Sequence, residues 1–176
     1  MYQNGNIIRP ILDIKKADTS KYCEENNLDA KIDKTNFETV YLRNKVRLNV
    51  IPVLKENLGD SVTDSILKTR EILVKEEEFL SNYTNRIINS VIIENNKDEI
   101  KFDIHGIINE SDAIIYRCIR ELVEMCTGNL VQVSLTHIKD IAKILKEHKT
   151  NKKFILGNKF EIEILNKNIA IIKRLS

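Results

Sequence analysis

Apolar residues recur at regular intervals along the chain, and the longest regular stretch covers about residues 61–92. Four aliphatic residues are spaced seven apart there: Ile66, Leu73, Leu80 and Ile87. A row of this period lies on one face of an α-helix, so the stretch predicts a single long helix that packs against another helix. Shorter helices are predicted at 15–27 and 38–58, and Pro52 is expected to kink or restart the second of them.

The pattern changes at the polar stretch 95–99, which is predicted to be a linker and a domain boundary. Beyond it we expect a short strand near 101–104, followed by one helix around 111–127 and another around 134–145. Apolar and polar residues then alternate through 154–172, which is typical of three antiparallel strands joined by short turns. The sequence therefore predicts an α+β fold that is mainly α-helical and ends in a β-meander.

Composition narrows the class of protein. The 176 residues are 42% hydrophobic and 31% charged, which is typical of a globular chain rather than a disordered one. No apolar run approaches the roughly 20 residues of a membrane span, so we expect no membrane partner. The three cysteines are odd in number and far apart, which favours a reduced, cytoplasmic protein over one with a disulfide framework.

The charge is unevenly distributed although its total is only +2. Residues 137–176 contain ten basic and four acidic residues. Five lysines crowd a predicted helix end and the loop after it: Lys143, Lys146, Lys149, Lys152 and Lys153. Such a cluster is typical of contacts with a phosphate backbone, but a solvated surface that binds nothing is the commoner origin of such a pattern.

The usual catalytic signatures are absent. The chain has only five glycines, and no Gly-rich phosphate loop is present among them. The three histidines and three cysteines lack metal-ligand spacing, so no metal site is predicted.

Two arginines are unusual in their placement. On a helical wheel, Arg43 and Arg47 fall inside the apolar sector of the helix predicted at 38–58. Buried guanidinium groups need partners, because an unpaired buried charge is costly. Either they pair with an internal carboxylate, for which Asp33 is the candidate, or they line a cleft that receives a ligand's phosphate or carboxylate. The spacing leaves both interpretations open.

Four short motifs carry a family resemblance. They occur in the order Arg9-Pro10-Ile11-Leu12, Asp33-x-Thr35-Asn36, Tyr41-x-Arg43-Asn44-x-x-Arg47 and Ile51-Pro52-x-Leu54. In order and spacing they resemble the tRNA(Ile)-lysidine synthetases, whose pattern has Leu and Ser where this chain has Ile11 and Thr35. The resemblance continues as a weaker pattern through the later helices and the final strands, and so covers nearly the whole chain.

The resemblance implies an ATP-dependent ligase that joins lysine to C2 of the wobble cytidine of CAU-anticodon tRNA(Ile). In such a family, ATP with Mg²⁺ adenylates the base before the lysine amine displaces AMP. The family's adenylation site opens with an S-G-G-x-D-S phosphate loop, and from the lack of that motif we expect the N-terminal ATP-pyrophosphatase loop to be missing here. Residues 1–94 would be the helical end of the catalytic domain and 95–176 a tRNA-binding middle domain.

The resemblance also assigns roles to residues. Arg43 and Arg47 are the expected catalytic residues. The expected contacts with tRNA or substrate are Asp33, Asn36, Asn44, Arg9 and the five lysines from Lys143 to Lys153. ATP would act through the missing domain, and a homodimer is left open. The alternatives are a non-catalytic helical module that binds RNA or protein, and an inactive gene fragment.

Overall fold

The computed structural model describes residues 2–4, 7–11, 14–31, 33–130, 133–147, 149–157 and 159–175. The chain divides into two compact units, Met1–Ile66 and Leu67–Ser176. Helix α4 spans this division, and each unit otherwise has its own set of helices and strands.

Unit 1 is built from short elements. Its strands β1 (Tyr2–Asn4) and β2 (Ile7–Arg9) form an antiparallel pair. Its helical elements are α1 (Lys16–Glu25), a 3₁₀ turn (Lys34–Phe37), α2 (Leu42–Lys45), a π-helical turn (Val46–Val50), α3 (Ile51–Leu58) and the first residues of α4 (Val62–Val91). Among the described side chains of unit 1, one is buried, and it is the polar Asn44. The apolar Val40 and Leu42 are 80% and 77% exposed.

Unit 2 combines a sheet with helices. After α4 come β3 (Ile92–Asn96), β4 (Glu99–Asp103), α5 (His105–Ile108), α6 (Asp112–Thr127), α7 (Leu135–Glu147), β5 (Lys153–Leu156), β6 (Phe160–Ile164) and β7 (Ile169–Arg174). The sheet order is β3-β4-β7-β6-β5, and all neighbouring strands are antiparallel. Alternate residues of β4 and β6 are buried, so one face of the sheet packs against the apolar faces of α6 and α7 in a single core.

Most of the predicted elements are confirmed, and so is the mainly helical α+β class. The long helix runs over Val62–Val91, α6 and α7 lie where their periodicity places them, and β5 to β7 form the meander. Pro52 lies in the first turn of α3, which is where a proline can begin a helix. The family-domain boundary at residue 95 stays a prediction.

Two predictions about elements are wrong. The polar stretch 95–99 is not a linker, because it contains the turn of the β3–β4 hairpin and β4 pairs along its whole length with β7. The helix predicted at 38–58 starts later than expected and is not α-helical throughout, although its helical residues follow one another without a gap. It begins at Leu42, passes through the π-helical turn Val46–Val50 and resumes as α3.

Gly106 lies where α5 meets the end of α4. A Cβ atom on Gly106 would lie 2.3 Å from Cγ1 of Val91, a side chain that is only 3% exposed. We therefore expect Gly106→Ala to lower the free energy of unfolding by about 1–3 kcal/mol, as overpacking does. Urea denaturation measures the loss. The double variant Val91→Ala/Gly106→Ala removes the clashing methyl, and its cost should be smaller than the sum of the two single costs. Strict additivity would contradict this account.

None of the described helices is long and apolar enough to cross a membrane. The described residues also contain no group of three or more His, Cys, Asp or Glu side chains arranged to hold a metal ion.

Candidate functional site

The side chain of Asn44 holds in place the loop before α2, which carries several of the predicted site residues. Asn44 is 6% exposed, and its amide nitrogen donates to the carbonyl oxygens of Thr35 at 2.9 Å and Glu38 at 2.8 Å. The amide thus ties the 3₁₀ turn to the start of α2. Asn44 was predicted to contact substrate. In the structure its amide N–H groups donate to backbone carbonyls of its own loop.

Asp33 begins the same loop as an N-cap. Its Oδ1 accepts hydrogen bonds from the backbone N–H of Thr35 at 2.9 Å and from the Thr35 hydroxyl at 2.8 Å. These bonds stabilise the ionised carboxylate, and so the hydroxyl bond first and the backbone bond second lower the pKa of Asp33. Asn36 lies half-buried in the 3₁₀ turn that Asp33 caps.

The two arginines do not both point inward. Arg43 is exposed and Arg47 is half-buried. The inward position predicted for Arg43 is therefore wrong, because the apolar sector in which the wheel placed it is not buried: Leu42, Val46 and Val50 are exposed as well. Among the described residues neither arginine forms an ion pair, and Asp33 bonds to Thr35 instead. The role of the arginines in a ligand cleft stays a prediction.

The first motif is only partly described. Arg9 ends β2, where it pairs with Tyr2, and its side chain is exposed. Leu12 lies outside the described residues, so the structure gives no account of the end of that motif.

Four of the five predicted lysines have acidic partners. Lys146 contacts Asp112 at 2.6 Å, Lys149 and Lys152 share Glu147 at 3.8 and 3.4 Å, and Lys153 contacts Glu161 at 3.5 Å and Glu163 at 3.2 Å. The bond from Lys152 is the largest cause of the lowered pKa of Glu147, and the bond to Glu163 is the largest cause of the raised pKa of Lys153. Within the described chain, Lys143 is exposed and has no ion-pair partner.

A polar cleft that the sequence did not predict lies between α4 and α6. Its volume is about 460 Å³. Its polar lining includes the side chains of Glu77, Thr84, Asn85, Arg117, Arg120 and Glu121. We call it the α4/α6 cleft. Glu77 belongs to a run of three glutamates that resembles an ordinary solvated helix face, and its partner Arg117 is 40 residues away.

The Glu77–Arg117 pair forms one wall of the α4/α6 cleft. Both terminal guanidinium nitrogens of Arg117 donate to the Glu77 carboxylate, Nη1 to Oε1 at 2.9 Å and Nη2 to Oε2. The Arg117 bond is the largest cause of the fall in the pKa of Glu77 to about 2, and the same bond raises the pKa of Arg117. The pair thus stays ionised at any pH above that value.

Glu77→Gln should make the stability less dependent on pH. Because folding lowers the pKa of Glu77 to about 2, its contribution is complete above the unfolded value of roughly 4.3 and disappears as the pH falls toward 2. The side chain of Glu77 is 57% exposed, so we expect a loss of about 1 kcal/mol or less at pH 7. Thermal unfolding at several pH values measures it. The neighbouring Glu78→Gln is the control. If Glu77→Gln loses as much stability between pH 7 and pH 2.5 as the unaltered protein does, the assignment is refuted.

The comparisons with known proteins give a match to one domain family and matches to curated relatives. Residues 1–54 match the PP-loop domain. The chain is 32% identical over 97% of its length to a tRNA(Ile)-lysidine synthase of Caldanaerobacter subterraneus, and 32% identical over 85% of its length to one of Clostridioides difficile. It covers 36% and 32% of those two proteins, so the chain spans about a third of the length of the curated relatives it matches.

The PP-loop match corrects one expectation. The phosphate loop of the N-terminal ATP-pyrophosphatase domain was expected to be missing, and that expectation is wrong because residues 1–54 match the PP-loop domain. The match to a PP-loop domain also supports the use of ATP. Over nearly its whole length, the chain is similar to tRNA(Ile)-lysidine synthases, which supports the resemblance that its motifs indicated.

Proposed function

We propose that this chain acts in a tRNA(Ile)-lysidine synthase, in which lysine is joined to C2 of the wobble cytidine of CAU-anticodon tRNA(Ile) at the expense of ATP. The observation that carries the proposal is the alignment of 97% of the chain with a relative of that name. In this proposal residues 1–94 belong to the catalytic part and residues 95–176 to the part that holds tRNA.

The reaction proceeds in two displacements. The O2 oxygen of the cytidine attacks the α-phosphorus of ATP, and pyrophosphate leaves. The ε-amine of lysine then attacks C2, and AMP departs with the former O2 oxygen while the amine loses its proton. Negative charge develops on the leaving pyrophosphate in the first step and on AMP in the second, so both steps are accelerated by fixed positive groups.

Arg43 and Arg47 are the groups we assign to this charge. Both lie within the 1–54 stretch that matches the PP-loop domain, and neither has an ion-pair partner among the described residues. Their guanidinium groups therefore remain available to a phosphate, which an arginine binds through two parallel N–H bonds. Asp33 and Asn44 act indirectly, because their bonds to the backbone hold the loop between the 3₁₀ turn and α2 in place.

The lysine cluster supplies the proposed contacts with the tRNA backbone. Lys143 forms no close ion pair among the described residues and interacts with Glu147 only through the charge on each side chain, so it gives up little when it contacts a phosphate. The other four lysines must exchange a carboxylate for a phosphate, which reduces the free energy that each contributes to RNA binding. We therefore expect binding through this cluster to tolerate many RNA sequences and to weaken as salt rises.

The incorporation of radiolabelled lysine into a CAU-anticodon tRNA(Ile) transcript tests the proposal. The protein that contains this chain should incorporate lysine only when ATP is present, and a transcript with uridine in place of the wobble cytidine should receive none. The absence of ATP-dependent incorporation into the cytidine transcript would exclude the proposal. If the transcript is bound without being modified, the result favours a non-catalytic RNA-binding module.

A further inference from the structure

Tyr116 on α6 lies between two clefts of unit 2. Tyr116 lines the α4/α6 cleft on one side. On the other side it lines a groove of about 360 Å³ along α7. The α7 groove is lined by Lys139, Lys143 and Lys146, which we call the lysine row. Tyr116 is half-buried and packs against the core of unit 2, so the core holds its ring in place while part of it remains accessible.

The α4/α6 cleft presents donors and acceptors together. Arg120 is exposed and forms no ion pair among the described residues, and the carboxylates of Glu121 and Glu124 also line the cleft. Arg117 and Glu77 neutralise each other in its wall. Because carboxylates outnumber the arginines there, the cleft disfavours a phosphate, whereas the edge of a nucleobase requires both donors and acceptors.

Thr84 supplies an independent indication of a ligand. The residue is only 4% exposed, it lines the α4/α6 cleft, and its hydroxyl has no hydrogen-bond partner in the described part of the chain. A buried hydroxyl without a partner is unfavourable, so the native structure gains when a ligand atom bonds to it. The cleft volume of about 460 Å³ is also within the range of small-molecule sites.

We propose that the α4/α6 cleft binds one unpaired guanine of an RNA, with Tyr116 stacked on the base and the lysine row holding the adjoining phosphates. Arg120 donates to O6 and N7 of guanine, as arginines do in nucleic-acid complexes. A carboxylate of the cleft, from Glu121 or Glu124, accepts from N1–H and the N2 amine. Unpaired bases stacked on aromatic side chains are the usual target of sequence-specific RNA recognition.

The lysine row suits the backbone that adjoins such a base. Its members are spaced i, i+4 and i+7 on α7, so they share one helix face. Lys139 and Lys143 are exposed and form no ion pair among the described residues, while Lys146 contacts Asp112. The inference rests on the proposed function only in taking RNA as the ligand. It adds a base preference in unit 2 that is separate from the reaction at the wobble cytidine.

Binding of short labelled RNAs to the full chain tests the inference by fluorescence anisotropy. We expect the single strand UUGUU to bind about tenfold more tightly than UUAUU, UUCUU or UUUUU, which is within the usual discrimination of a base by an arginine. Arg120→Gln should abolish the preference. Tyr116→Leu should weaken UUGUU about tenfold, as the loss of one stacking contact does, while Tyr116→Phe retains the ring and the binding. Lys97→Ala, in the exposed β3–β4 turn, is the control that should change nothing.

Equal affinity for the four strands would overturn the inference, and so would equal binding of UUGUU within a duplex or an unchanged preference in Arg120→Gln. If Tyr116→Leu fails to fold in a thermal melt, Arg120→Gln and Tyr116→Phe decide, since Arg120 is exposed. The lysine-incorporation assay runs in parallel. Incorporation without a guanine preference overturns this inference alone, whereas a guanine preference without incorporation supports it and overturns the proposed function alone.

Discussion

Replacing Arg47 with alanine is expected to reduce lysidine formation by about 100-fold or more while leaving the thermal midpoint of unfolding unchanged. In the proposed mechanism its guanidinium faces charge that develops on pyrophosphate or AMP, and the removal of one such group costs roughly 10²–10³ in rate. Arg47 has no ion-pair partner among the described residues, so its loss leaves no buried carboxylate unpaired. Lysine incorporation measures the rate, and circular dichroism measures the melt.

Two further variants separate the catalytic role of Arg47 from a structural one. Arg47→Lys keeps the positive charge without the paired N–H donors, and so should retain an intermediate rate. Lys45→Ala removes an exposed charge from the same segment and should leave the rate unchanged. If Arg47→Ala instead lowers the free energy of unfolding by about 3–5 kcal/mol, the loss of rate reflects a structural role and the catalytic assignment is wrong.

Replacing Phe160 with alanine should lower the free energy of unfolding of unit 2 by about 3–5 kcal/mol. Phe160 is 0% exposed, it begins β6, which lies between β7 and β5, and its ring centroid is 6.2 Å from that of Phe154. Truncation to alanine removes apolar contacts and leaves a cavity that a sheet neighbour cannot close. Urea denaturation followed by circular dichroism measures the change.

Phe79→Ala provides a matched control for the Phe160 variant. Phe79 is 67% exposed on α4, so its truncation should change the free energy of unfolding by about 0.5 kcal/mol or less. Phe160→Leu retains most of the side-chain volume, so its loss of free energy of unfolding should lie between those of the two alanine variants. Equal effects of the two alanine variants would mean that β6 is not part of the core of unit 2.

The sequence was informative where one face of an element is buried. The periodic apolar faces of α6 and α7 and the alternation in β6 follow from packing against a single core, and each pattern can be read locally. The β3–β4 hairpin was missed because β4 is held by β7, whose partner residues lie about 70 positions further along the chain. Nothing in the polar stretch 95–99 encodes that pairing.

The site was predictable only in part, for a similar reason. The motif around Asp33 and Asn44 was found, yet the wheel could not reveal that the apolar residues beside Arg43, such as Leu42, would remain exposed. The lysine cluster was found as well, although its acidic partners come from other elements, such as Glu161 and Glu163 on β6. A charge count along the chain does not show which charges are already neutralised in space.

The sparse interior of unit 1 has a consequence for its dynamics. Its one buried side chain among the described residues is the amide of Asn44, whereas the interior of unit 2 is an extended apolar cluster. Local opening requires little free energy where few apolar contacts must be broken. Amide hydrogens around α2 should therefore exchange with solvent through frequent partial unfolding, and those of β6 and β7 only through rare global unfolding. A ligand that bridges the arginines would slow exchange around α2 first, because binding stabilises the closed form of the segment that it contacts.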